Sequence, residues 1–121
     1  MSKAQKLISG IFALVFALAI APTASFAATN YDLSVNGEQF TSEKLTIQCG
    51  EGTATYDPAT QNLTLDNASI ANAVDYGGID SELTSDLTIT LQGSNQITFN
   101  DNMGIKATGS VIFRGSGSLV I

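Results

Sequence analysis

Leu63-Thr64-Leu65 recurs as Leu87-Thr88-Ile89 and again as Val111-Ile112-Phe113, each copy 24 residues after the one before. Each triplet places apolar side chains two positions apart, the spacing that sends them to one face of a strand. A repeat of this length in strand-forming residues marks a solenoid, in which each repeat is one coil stacked on the last. The reading is therefore all-β: a right-handed parallel β-helix with coils of about 24 residues, its hand following from the rule for parallel crossovers.

Two further sets of short strands fit the same scheme. Ile97-Thr98-Phe99 answers Leu119-Val120-Ile121, and Gly78-Ile79 answers Gly104-Ile105. The segments between them are rich in Gly, Asn, Ser and Asp, which supply turns. Leu63, Leu87 and Val111 are expected to form one core ladder, with Leu65, Ile89 and Phe113 beside it. A leucine-rich repeat has a similar period, but Gln92, Ser94, Ser116 and Ser118 stand where that repeat needs Asn and Leu. An antiparallel sandwich uses similar short strands and does not require a fixed period.

Upstream, Tyr31–Val35 alternates as a strand and Asn36-Gly37 is a tight-turn dipeptide. Leu45–Cys49 alternates again, Gly50-Glu51-Gly52 breaks it, and Asp57-Pro58 opens a turn after the β-formers Thr53–Tyr56. The organisation read from this is a signal peptide over 1–27, an N-terminal β-hairpin cap over 28–61 and incomplete coils over 62–121. Ile121 lies in an inward-facing strand with no polar cap after it. The expectation is a fold truncated at its C-terminal end, a piece of a longer protein, whose open coil exposes sheet edges and self-associates.

Lys3 and Lys6 precede an apolar run from Ile11 to Ala21, then Pro22 and the small residues of Ser25-Phe26-Ala27. That is the layout of a secretory signal peptide, so the protein is expected outside the cell or at its surface, with no membrane span after cleavage. Beyond residue 27 only Lys44, Lys106 and Arg114 stand against eleven acids. Such a chain lacks the basic patches that bind nucleic acid phosphates. Cys49 is the only cysteine, which excludes a disulfide framework, and it follows the apolar alternation of Leu45 and Ile47 as a buried thiol. The chain has no histidine, which removes the usual triad, acid–base and zinc chemistries.

Tyr56-Asp57-Pro58-Ala59-Thr60-Gln61-Asn62-Leu63-Thr64-Leu65-Asp66-Asn67-Ala68-Ser69-Ile70 resembles a segment of secreted β-helix proteins of gut and soil Firmicutes. Asp86–Ile97 and Gly115–Leu119 resemble the same group. Those proteins are described as carbohydrate-binding domain proteins, similar to clostridial β-helix proteins that bind plant polysaccharide and calcium. The resemblance implies a secreted, non-catalytic protein whose partner is a polysaccharide or cell-surface glycan.

Candidate sites follow from residue chemistry. Tyr76, in the loop Asn72–Gly78, is the candidate carbohydrate-binding aromatic, whereas Tyr56 precedes a turn and reads as packing in the cap. Asp75 and Asp101 each stand four residues before a matching isoleucine, Ile79 and Ile105. They would occupy equivalent positions on adjacent coils, ~4.8 Å apart. Two carboxylates that close repel by ~1 kcal/mol even in bulk water, so a bridging Ca2+ is expected, with Asn100 and Asn102 completing an oxygen shell. Catalysis has weaker support. Lys106 and Arg114 read as solvated outward charges, not as lyase machinery. Asp80 and Glu82 are spaced as one strand face, which a hydrolase carboxylate pair could use, but no motif surrounds them. A structural role as an adhesin spacer is the other alternative.

Overall fold

A computed structural model describes residues 27–72, 77–99 and 103–121. Among the described residues there are twelve strands: β1 (Asn30–Val35), β2 (Glu38–Thr41), β3 (Thr46–Cys49), β4 (Gly52–Asp57), β5 (Asn62–Asp66), β6 (Ser69–Ile70), β7 (Gly77–Ser81), β8 (Leu87–Gln92), β9 (Ser94–Ile97), β10 (Met103–Ala107), β11 (Val111–Arg114) and β12 (Ser118–Val120). They form three sheets, with strand orders β10-β7-β1-β2, β11-β8-β5-β4-β3 and β12-β9-β6.

The local reasons are short-range. In β5, Leu63 and Leu65 are buried while Asn62, Thr64 and Asp66 face outward. In β8, Leu87, Ile89 and Leu91 are buried around Thr88 and Thr90. Period-two alternation of this kind fixes which face meets the core. The β1–β2 hairpin turns on Asn36-Gly37, whose φ values of 53° and 83° are the left-handed pair that a two-residue hairpin needs.

The expected right-handed parallel β-helix is corrected by this topology. Strands β1 and β2 pair antiparallel with each other, and β1 pairs antiparallel with β7. Strands β3, β4 and β5 form an antiparallel meander. Two of the three sheets are therefore mixed, no sheet closes on itself, and the result is a sandwich-like all-β fold without a uniform solenoid coil. Residues 30–57 extend the first two sheets because their tight turns reverse the chain, which adds antiparallel strands at the edge. Parallel pairing is confined to β5–β8–β11, β6–β9–β12 and β7–β10.

The constant 24-residue step also fails. Val111 stands opposite Leu87, 24 residues earlier, but Leu63 stands opposite Ile89, a step of 26. The expected ladder Leu63–Leu87–Val111 is replaced by Leu63–Ile89–Phe113, with Leu65 opposite Leu91. Strands β7 and β10 do pair Ile79 with Ile105.

One hydrophobic cluster runs from Leu33 and Val35 through Leu63, Leu65 and Ile79 to Ile89 and Ile97. Each fully buried aliphatic side chain of this kind contributes about 1.5–3 kcal/mol. At one end Phe40 and Tyr56 are buried, with ring centroids 5.6 Å apart, and Tyr31 lies 5.8 Å from Tyr56. The opposite end is open: Phe113, Val120 and Ile121 are 50%, 67% and 68% exposed. Phe113 points the same way as Ile89 beneath it, and among the described residues no strand pairs beyond β11.

Candidate functional site

The outer face of the five-stranded sheet carries an ordered set of polar side chains. The register places Thr46 opposite Thr55, Thr55 opposite Thr64, Thr64 opposite Thr90, and Thr90 opposite Arg114. Four threonines and one arginine thus form a row across five strands, with rungs ~4.8 Å apart. Thr46 and Thr55 are exposed, and Thr64 and Thr90 are half-buried. Parallel rows flank it. One is Gln48, Thr53, Asp66 and Gln92; the other is Asp57, Asn62, Thr88 and Ile112.

Local hydrogen bonds order this face. The Thr90 hydroxyl donates to Asn62 Oδ1 at 2.7 Å, and Asn62 Nδ2 donates to Thr64 Oγ1 at 3.0 Å. The Thr46 and Thr55 hydroxyls lie 3.4 Å apart. Asp66 Oδ1 accepts from Asn67 Nδ2, and Asp57 Oδ1 accepts from the Ala59 N–H, both at 3.0 Å. Thr64 keeps its own hydroxyl proton to donate outward, and Thr90 keeps acceptor capacity. The face offers hydroxyls, amides and two carboxylates at fixed intervals. The chain has no histidine to stand as a base beside these hydroxyls.

The residues singled out from the sequence fall elsewhere. Tyr76, Asp75, Asn100, Asp101 and Asn102 lie outside the described residues. Among the described residues no group of three or more His, Cys, Asp or Glu side chains could hold a metal ion. Tyr56 packs in the aromatic cluster at the closed end, where burial pushes its hydroxyl above the ordinary range, with the Asp57 charge adding to it. Cys49 is fully buried, and burial raises its thiol to about 11, with the charge of Glu38 adding to it. That holds it as an unreactive thiol at neutral pH.

The carboxylates considered for hydrolysis part company. Asp80 is 5% exposed and lies 3.7 Å from Lys106 Nζ, its neighbour on the adjacent parallel strand. Glu82 lies beyond the end of β7 and is exposed. Lys106 is therefore not a solvated outward charge but an ion-pair partner, whereas Arg114 is exposed.

Period-two alternation in Leu63-Thr64-Leu65 and Leu87-Thr88-Ile89-Thr90-Leu91 turns Thr64, Thr88 and Thr90 outward. The continuous row is not legible in that alternation, because Thr46 and Thr55 join it only through the antiparallel pairing of β3, β4 and β5. No family model matches the chain, and no curated protein or solved structure matches it either.

Proposed function

We propose that the protein is a secreted, non-catalytic polysaccharide-binding protein, and that its binding surface is the outer face of the five-stranded sheet. The observation that carries this reading is the in-register row Thr46–Thr55–Thr64–Thr90, flanked by Asn62, Thr88, Thr53 and Gln92. A sugar chain presents hydroxyl groups at short, regular intervals, and a flat lattice of donors and acceptors meets them repeatedly. Each exposed hydrogen bond is worth little by itself, about 0.5–1.5 kcal/mol. Retention then depends on many weak contacts made at once, so the reading favours a polymer over a single sugar. No aromatic side chain stands on that face among the described residues, so hydrogen bonding has to supply the contact. Asp57 and Asp66 on the flanking rows disfavour a polyanionic chain through like-charge repulsion. The face therefore suits an uncharged polysaccharide.

Sedimentation of the purified protein with a panel of insoluble polysaccharides, some neutral and some uronate-rich, tests this reading. Retention on a neutral polymer is expected, together with its loss in Thr55→Lys when circular dichroism shows an unchanged fold. Absence of retention on every polymer, or equal retention of the variant, would contradict it.

A further inference from the structure

Asn36 joins all three sheets, and we infer that Asn36-Gly37 is a covalent modification site gated by folding. The native contacts hold the Asn36 amide out of reaction, and their release lets it deamidate. None of this depends on the ligand proposed above.

Asn36 lies in the β1–β2 turn of the four-stranded sheet and is half-buried. Its backbone N–H donates to the Gly78 carbonyl of β7 at 2.9 Å. Its Nδ2 donates to the Gln48 carbonyl of β3, in the five-stranded sheet, at 3.3 Å. Its Oδ1 accepts from the backbone N–H groups of Ala71 and Asn72, both at 3.1 Å, and from Asn72 Nδ2 at 3.3 Å. Ala71 and Asn72 directly follow β6, which belongs to the three-stranded sheet. One carboxamide therefore clasps segments that lie 12 and 36 residues away in sequence.

Reactivity sits at the same place. Of the eight asparagines in the chain, Asn36 alone is followed by glycine. The turn requires that glycine: Gly37 has φ 83°, and a Cβ there would stand 3.3 Å from Asn72 Cβ. The missing side chain also leaves the Gly37 nitrogen open to close approach. Attack of that nitrogen on Asn36 Cγ forms a cyclic imide. The N–Cγ bond forms, the Cγ–Nδ2 bond breaks, and ammonia leaves with the Gly37 amide proton. Water then opens the ring. Cleavage of the new N–Cγ bond gives aspartate, and cleavage of the original peptide bond gives isoaspartate.

The clasp opposes the first step. Cγ reaches the Gly37 nitrogen only when Oδ1 leaves Ala71 and Asn72 and Nδ2 leaves Gln48. The reaction therefore follows the population of the opened turn. The two products then differ. Aspartate keeps an acceptor for Ala71 and Asn72 but loses the donor to Gln48. Isoaspartate adds a carbon to the main chain inside a two-residue turn, whose geometry sets the β1–β2 register. A chain modified in that way does not reclose the clasp, and its unfolding becomes irreversible there.

Peptide mass mapping of the purified protein, held at mildly alkaline pH with and without guanidinium, tests this. An isoaspartate-specific methyltransferase counts that product. In denaturant, conversion is expected first at Asn36, ahead of Asn62, Asn67 and Asn95. In the native protein it should be at least about tenfold slower, because opening is unfavourable. After the denaturant is removed, isoaspartate chains should melt at a lower temperature than the parent and than Asn36→Asp. Asn72→Pro removes two of the three donors to Oδ1 from an exposed segment. It should speed native conversion at least about fivefold; Asn72→Ala removes one donor and should speed it less. Rates are compared for variants whose circular dichroism matches the parent. Equal native and denatured rates, conversion led by another asparagine, isoaspartate chains with the parent's melting temperature, or folded variants that convert at the parent rate would overturn the inference.

Discussion

The hydroxyl of Thr90 donates to the side-chain oxygen of Asn62 at 2.7 Å, across the parallel pair β5 and β8. This contact sets the orientation of the Asn62 amide, which in turn donates to Thr64. Thr90→Val removes the hydroxyl and keeps a β-branched side chain suited to a strand. On so accessible a face the stability loss should be small, about 0.5–1.5 kcal/mol. Retention on polysaccharide should fall by more than that loss accounts for. Denaturant unfolding and sedimentation of the same variant separate the two effects.

Asn95 is the buried polar residue on which two turns depend. Its Oδ1 accepts from the Ala68 N–H at 2.7 Å, and its Nδ2 lies 3.2 Å from the carbonyls of Gln92 and Ser118. Asn95→Ala leaves the Ala68 N–H without its acceptor, so a loss of about 1–3 kcal/mol is expected in denaturant unfolding. Asn95→Asp keeps the acceptor but brings a carboxylate against two carbonyl oxygens. The folded state then disfavours the ionised form and holds the carboxyl above its unfolded value. The deficit of this variant relative to the parent should therefore shrink on acidification, when the carboxyl is protonated and can donate. A deficit that is flat with pH would count against this geometry.

Ile89 is fully buried between Leu63 and Phe113. Ile89→Ala should cost about 2–5 kcal/mol in denaturant unfolding. Phe113, half-exposed at the open end, should cost clearly less when truncated, despite its larger side chain. Equal losses would mean that Phe113 is covered.

The Cys49 thiol is raised from 9.0 to about 11, so the folded state favours the neutral form. The stability this contributes is fully present below pH 9 and is lost as pH rises toward 11. Cys49→Ala should lack that part of the alkaline decline. Alkylation at pH 8 should be slow in the native protein and fast in denaturant; rapid native alkylation would show that the thiol is accessible.

The alternation of Leu63, Leu65, Leu87 and Ile89 was enough to identify strands and their inward faces. It could not separate a step of 24 from one of 26. Both are even, so both leave the same residues inward, and the pattern of burial does not distinguish them. The observed register, Leu63 opposite Ile89, is set by the connections, whose lengths carry no hydrophobic signal. The fold class is not legible for a related reason. Residues 30–57 have strand composition, and their turns were legible, but composition does not say whether those strands cap an end or extend two sheets. The threonine row needs three such pairings at once, which is why Thr46 and Thr55 did not stand out as binding residues.

Titration of the isotope-labelled protein with soluble neutral oligosaccharides, followed by amide shifts, tests the proposed binding face most directly. The shifts are expected to concentrate on β3, β4, β5 and β8, around Thr46, Thr55, Thr64 and Thr90. No shift at any concentration, or shifts centred away from that face, would contradict it.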